Sequence, residues 1–402
     1  MGDWSGSDLG RLADFDLADV EPEMNFIDYI DEAARRIHLP LLAFFANPLN
    51  SWIAPDFVGL LISKHTAESA LSIAEKEIGQ VSKIGQPLFM FVFLSTTHLP
   101  YAIPEGEPIT FGDPNYKGLH ERQLNFSSLD AISTADLSQE LKNDSQRIKD
   151  LYDSTVWRFD QQVARIDTAL KKSHLNNTIF IVLADHGEDQ WDPGVGLSRT
   201  LHAGDQSIRI PFIVRWPDHL KPHRIQNLLR ATDVVPTLAD LADATDAANF
   251  DNSEWKEKSF KKLLEGESLP DDRSVFIESG ISWTGPTLYP PDGPHLSYPG
   301  VTSLAAPDRR IDSQLLIPHD KLMMVMKAKD RVFIQGRYKV AYQPLKTGPL
   351  VDMCDLEQDP WCQKRLKPDP QLAQKLKAEI MKDPEEFYLA WPREVFDQGF
   401  AP

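Results

Sequence analysis

The segment TIFIVLADHGED (residues 178–189) decides how the rest of the chain is read. Thr178 to Ala184 form an unbroken run of apolar and β-branched residues, the pattern of a strand buried on both faces. Asn176 and Asn177 turn the chain into it, and Asp185, His186 and Gly187 follow at its carboxy-terminal end. Upstream, Tyr152, Val156, Phe159, Val163, Ile166 and Leu170 repeat at helical spacing and predict a helix over 145–172. Before that, LFMFVFLS (88–95) reads as a second doubly buried strand. It is preceded by a helix over 66–84 carrying Ala67, Leu71, Ala74, Ile78 and Val81. Downstream, IRIPFIVRW (208–216) reads as a third strand and DVVPTLADLADA (233–244) as a helix, with Pro236 in its first turn. Strands and helices in alternation, with unbroken apolar strands, predict an α/β fold: a mainly parallel sheet sandwiched by helices.

Outside that core the pattern changes. The first 25 or so residues are acidic and rich in Gly, Ser and Asp, which predicts loop, and an amphipathic helix is expected over about 26–46. After residue 245 a smaller α+β carboxy-terminal subdomain is expected, so the domains are drawn as 1–245 and 246–402. A proline-rich excursion spans 283–310, KLMMVMKAKDRVFIQGRYKVAYQP (321–344) reads as an antiparallel hairpin set, and a short helix closes near 372–383.

Acids outnumber bases, 60 to 42, for a formal net charge of -18. That field repels polyanions, so nucleic-acid binding is not expected, and a small anionic substrate needs a local cation such as a metal. Cys354 and Cys362 exclude a disulfide scaffold and a four-cysteine zinc site, leaving one local disulfide or two thiols. No stretch reaches the ~18–20 apolar residues of a membrane span. The best candidate, LPLLAFFANPL (39–49), is short and holds two prolines.

Asp185 and His186 stand where open α/β sheets gather their ligand sites. A carboxylate beside an imidazole offers one oxygen and one nitrogen donor, suited to zinc or manganese. Gly187 is expected to let the backbone turn there, and Glu188 and Asp189 to accept from the imidazole N–H. His202, in RTLHAGD, and His98, in STTHLPY, lie in loops that could bring them to the same pair. A capped turn at Asp185, and histidines that merely bond their own loops, remain the alternatives.

These segments in order resemble the sulfatase and alkaline-phosphatase superfamily: FLSTTHLPY, the helix YDSTVWRFDQQVARIDTAL, NNTIFIVLADHGED, LHAGD, IRIPFIVRWP and DVVPTLADL. The tail RVFIQGRYKVAYQP…DMCDLEQDP is similar to the carboxy-terminal domain of sulfatases. The resemblance covers about 65–240 and 325–365. It implies an alkaline-phosphatase-like fold and a metal-dependent hydrolase or transferase of sulfate or phosphate esters. Asp185 and His186 then hold the metal, with manganese or zinc favoured and calcium possible, while His98 and His202 contact the transferred group. Arg209, Pro211, Asp233 and Thr237 take structural parts. The early acidic ligand and the Thr, Ser or modified Cys nucleophile have no counterpart here. The expectation is therefore the carboxy-terminal part of a longer enzyme, inactive alone, its parent periplasmic, extracellular or membrane-anchored. The alternative is a non-catalytic binding or regulatory protein on a degenerate sulfatase scaffold.

Overall fold

Two long helices organise the amino-terminal half. The computed structural model describes residues 55–85, 87–99, 101–104, 106–124, 144–190, 197–198, 204–244, 258–268, 273–279, 295–296, 304, 306–308, 314–317 and 319–380. The loop and helix expected over 1–46, His202, and most of the 283–310 excursion lie outside these residues. Contacts divide the chain into two compact units, one of residues 1–127 with 139–176, the other of 128–138 with 177–402.

In the first unit, helix α1 (Pro55–Ile84) and helix α2 (Ser145–Lys172) pack together. Ala67, Leu71, Ala74 and Ile78 of α1 are buried, the stripe their spacing requires. Helix α2 has the bounds its periodicity predicts, and Ile166 and Leu170 of the expected stripe are buried, but Tyr152, Phe159 and Val163 are only half-buried. Ile148, Leu151, Thr155, Gln162, Ile166 and Leu170 point inward while Val156 is exposed. The face also takes in a polar pair: Thr96 Oγ1 donates to Gln162 Oε1 at 2.7 Å inside the unit. A buried amide with a partner is tolerated where an apolar residue was expected. Arg165 of α2 reaches both Glu75 and Glu68 of α1 and fixes their register.

LFMFVFLS corrects the reading of a doubly buried strand. Residues 88–95 join no ladder among the described residues, and Phe89 and Phe91 are 73% and 77% exposed. Its side chains alternate between half-buried and exposed, so the run is apolar by composition and one-sided by position.

In the second unit, strand β1 (Phe180–Leu183) pairs with β4 (Phe212–Arg215), with Leu183 opposite Phe212 and Phe180 opposite Arg215. That ladder is antiparallel, as is every ladder among the described residues. The parallel sheet read from the sequence does not form among the described residues. Parallel neighbours need a crossover that carries the chain back to the starting end. The chain instead leaves β1 through the Asp185–Gly187 loop and the short pair β2 (Asp189–Gln190) and β3 (Leu197–Ser198), and re-enters at the same end. Both strands are shorter than predicted. Before β4 the amides of Ile208 and Arg209 turn back to the Asp205 carbonyl, and Pro211 has no N–H to give a ladder. Ile213 is 60% exposed, so this pair too is covered on one side only.

Helix α3 (Val234–Leu241) and the turn α4 (Lys261–Leu264) cover the other side. Leu241, Phe260, Leu263 and Leu264 form a core against Ile179, Phe212 and Val214. Asp233 stands at the start of α3 fully buried, held by Arg230 and Arg273, and Thr237 Oγ1 links the Asp233 carbonyl to the Phe260 amide.

Further along the unit, β5 (Ser274–Glu278), β8 (Arg331–Gln335), β9 (Tyr338–Gln343) and β10 (Leu350–Asp355) build a four-stranded antiparallel sheet in the order β10-β9-β8-β5. A two-residue turn joins β8 to β9, and Gly336 supplies its positive φ of 56°. The earlier part of the segment read as hairpins is a helix, α5 (His319–Lys327), rich in Met, Leu and Lys, good helix formers. Strands β6 (Ala306–Asp308) and β7 (Gln314–Leu316) pair before it. Helix α6 (Pro370–Ile380) starts with Pro370 after Asp369, whose carboxylate accepts the amides of Gln371 and Leu372. Its Leu376 and Ile380 close a core with Phe333, Val340 and Tyr342. Cys354 and Cys362 are joined in a disulfide. No helix among the described residues is long and apolar enough to cross a membrane.

Candidate active site

Asp185 lies two residues beyond Leu183, the exposed last residue of β1, and its carboxylate is itself largely exposed. Asp185 Oδ1 accepts the His186 amide at 3.0 Å, which leaves Oδ2 facing His186 Nε2 at 3.4 Å. The other ring nitrogen, Nδ1, lies 2.7 Å from the Gly187 carbonyl. A carbonyl only accepts, so Nδ1 carries the hydrogen; Nε2, which faces Asp185, offers a lone pair when it carries none. Two acceptors held 3.4 Å apart are stabilised by whatever positive charge lies between them, a proton or a cation. Two donors sharing one first-row ion at ~2.1 Å stand ~3.0–3.4 Å from each other, so the pair could hold such an ion. Among the described residues no third His, Cys, Asp or Glu completes a cluster.

Gly187 is needed for space rather than for a turn. Its φ is not positive, but a Cβ on it would sit 1.8 Å from the Gln206 carbonyl oxygen. Its amide donates to the Ser207 carbonyl at 2.9 Å. The 185–187 loop is thus zipped to the loop that runs from Gly204 to Ser207. His202 precedes that loop and falls outside the described residues.

The Nδ1 hydrogen does not go to a carboxylate after Gly187, as was expected of Glu188 and Asp189. The imidazole N–H goes to the Gly187 carbonyl instead, and buried Asp189 belongs to β2, close enough to Lys339 to favour its charge. Arg209, expected to be structural, is exposed and pairs loosely with Asp205 at 3.4 Å.

His98 lies in the first unit, in a turn closed by its amide on the Ser95 carbonyl. Its Nδ1 stands 2.5 Å from the Leu99 carbonyl, and the side chain is exposed. Two neighbours fix that turn: Thr96, bonded to Gln162, and Tyr101, buried edge-on against the Tyr152 ring at 5.0 Å. The structure therefore brings Asp185 and His186 together and anchors the His98 turn within its own unit. Sequence reading passed over Lys339, a fully buried amine whose Nζ donates to the Gly204 carbonyl at 2.7 Å. Its one signal was a lysine in a strand otherwise made of buried residues.

Comparison with known proteins bears on the same segments. The family model described as Sulfatase matches residues 42–244, half of the chain. The chain belongs to the sulfatase family. An endo-4-O-sulfatase of Bacteroides thetaiotaomicron is 29% identical over 185 residues, 46% of this chain and 34% of that enzyme. An ulvan-active sulfatase of Formosa agariphila is 29% identical over 120 residues, 30% of this chain and 20% of that protein. An arylsulfatase of Clostridium perfringens is 28% identical over 144 residues, covering 33% and 30%. The chain thus spans no more than about a third of the length of these relatives. The crystal structure of yidJ from Bacteroides fragilis, described as a sulfatase, matches 80% of this chain and 60% of its own, with a TM-score of 0.51 and 19% identity. That likeness is one of fold, and it gives the chain a sulfatase-type arrangement of helices and sheets.

Proposed function

We propose that this chain carries the metal-gripping part of a sulfatase-type ester hydrolase acting on small anionic sulfate esters, with phosphate or phosphonate esters as the related class. Asp185 and His186 are the two protein donors to a divalent ion, manganese or zinc before calcium. The observation that supports this most is the imidazole whose Nδ1–H is committed to its own loop while Nε2 and Asp185 Oδ2 stand 3.4 Å apart. When bound, the ion supplies Lewis-acid stabilisation of ester oxygens and of an attacking hydroxyl. Asp185 offsets part of its charge, and His186, held by Gly187, keeps Nε2 turned to Asp185. In this reading His98 and His202 donate hydrogen bonds to non-bridging oxygens of the ester, which gain charge during transfer. The esterified nucleophile is not among the motifs recognised in these 402 residues, so turnover by this chain alone is not expected. The domain division at 245/246 belongs to the same reading, the family match ending at residue 244.

Calorimetric titration of the purified chain with Mn2+ and Zn2+ tests the site. Binding that is lost in both Asp185→Ala and His186→Ala supports it. An unmodified chain that takes up neither ion favours the alternative of a binding or regulatory protein on a sulfatase scaffold. That alternative draws on the described residues offering two donors and no third.

A further inference from the structure

Lys339 is buried on β9 between Tyr338 and Val340, opposite Ile334 of β8 and Cys354 of β10. A buried amine needs acceptors, and Lys339 Nζ donates to a backbone carbonyl 135 positions earlier, that of Gly204 at 2.7 Å. The sheet holds the same loop at a second point, because Gln206 Nε2 donates to the Pro360 carbonyl at 3.2 Å. Space is tight there too: a Cβ on Gly204 would lie 2.3 Å from that carbonyl oxygen. At its far end the loop touches the candidate site. The Ser207 carbonyl takes the Gly187 amide, and the Gly187 carbonyl takes His186 Nδ1.

We propose that Lys339 is a positioning residue, which through the 204–207 loop holds Gly187 and so sets the face that His186 turns to Asp185. This rests on the reading of Asp185 and His186 as a metal-binding pair. The groups facing the amine are Asp205, Asp189 and Asp352, which favour its charge, and Arg365, which opposes it. Burial outweighs them and pulls the amine down to about 7, so the strength of its bond to Gly204 varies near neutral pH. A neutral amine is a weaker donor than an ammonium, and the hold on the loop slackens as pH rises.

The test follows the Gly187 amide by hydrogen–deuterium exchange in the full chain, beside Mn2+ titration. Lys339→Met keeps length and apolar contact but removes the donor. It should raise Gly187 exchange by about tenfold or more and weaken Mn2+ binding 10- to 100-fold, the range for loss of a supporting partner. Val340→Ala, which loosens the core that Val340 shares with Phe333 and Leu376, should change neither. In the unmodified chain Gly187 protection, corrected for intrinsic exchange, should fall from pH 6 to pH 8, and in Lys339→Met it should not. Should Lys339→Met fail to fold, Lys339→Gln, polar but too short to reach Gly204, is read in the same way. Unchanged Gly187 protection on loss of the amine overturns the proposal, as does equal loss in Val340→Ala. Lost protection in a chain that never binds Mn2+ keeps the role of Lys339 and rejects the metal.

Discussion

Asp185 and Asp233 are both aspartates at the edge of a regular element, and the structure treats them oppositely. Asp233 is fully buried and oversupplied with positive charge: Arg230 reaches it at 2.9 Å and Arg273 at 3.0 Å, with the Arg230 amide added. Asp185 is exposed and faces a ring nitrogen that, in the neutral tautomer, is another acceptor. A carboxylate whose charge the fold has already neutralised is part of the fold. One left exposed beside an imidazole nitrogen is open to solution, and Asp185 is therefore the one proposed to hold an ion. Both residues sit in motifs of one family, so the motif alone does not separate the two roles; their partners do.

The largest effect expected from this contrast is at the buried end. Asp233→Ala strands two guanidinium groups, one of them mostly buried, and should cost about 3–5 kcal/mol, read as a shift in the urea midpoint. A loss below ~1 kcal/mol would mean that solvent already screens the node. Next is Gly187→Ala, which drives a Cβ against the Gln206 carbonyl. It should cost about 1–3 kcal/mol and displace the 185–187 loop, visible as lost Mn2+ binding. Lys339 gives a smaller, pH-dependent effect. Its amine is depressed to about 7 from an ordinary 10.5, so between those values the unfolded chain holds more protons than the folded one. Stability therefore rises with pH in that window, by at most about 1.4 kcal/mol per pH unit, and Lys339→Met should flatten that slope. Smallest in stability is Asp185→Ala, within ~0.5 kcal/mol of the unmodified chain, while Mn2+ affinity should fall by more than ~100-fold. A large loss of stability there would make Asp185 a second Asp233 and remove the contrast.

What the sequence disclosed followed the range of the interaction involved. Helix α2 was legible to its ends and in part of its stripe because these are local, whereas buried Gln162 was not, its partner lying 66 positions away. The runs 88–95 and 331–335 look equally strand-like. The second is buried in a ladder with Val332 and Phe333 inside, whereas the first is exposed on alternate residues. Composition gives the tendency to extend, and neighbours decide burial. The order of pairing was not legible for the same reason, since alternation of strands and helices says nothing of which end of β1 the returning chain meets. Asp185 and His186 were readable because they are adjacent. Gly187 was singled out for the wrong property, its need being room for the Gln206 carbonyl. Lys339 was missed because the Gly204 carbonyl it bonds is a backbone atom in a remote loop, and its mark in the sequence is only a lysine among buried strand residues.

The bond between Cys354 and Cys362 closes a small ring, and Pro360 lies within it. The Pro360 carbonyl that receives Gln206 is therefore tethered covalently on both sides. Opening the ring leaves the atom in place but lengthens its leash, and the entropy of that segment grows. With both thiols reduced, the same polypeptide would grip the 204–207 loop less firmly, so the oxidation state of the two cysteines becomes a setting for how tightly that loop is held.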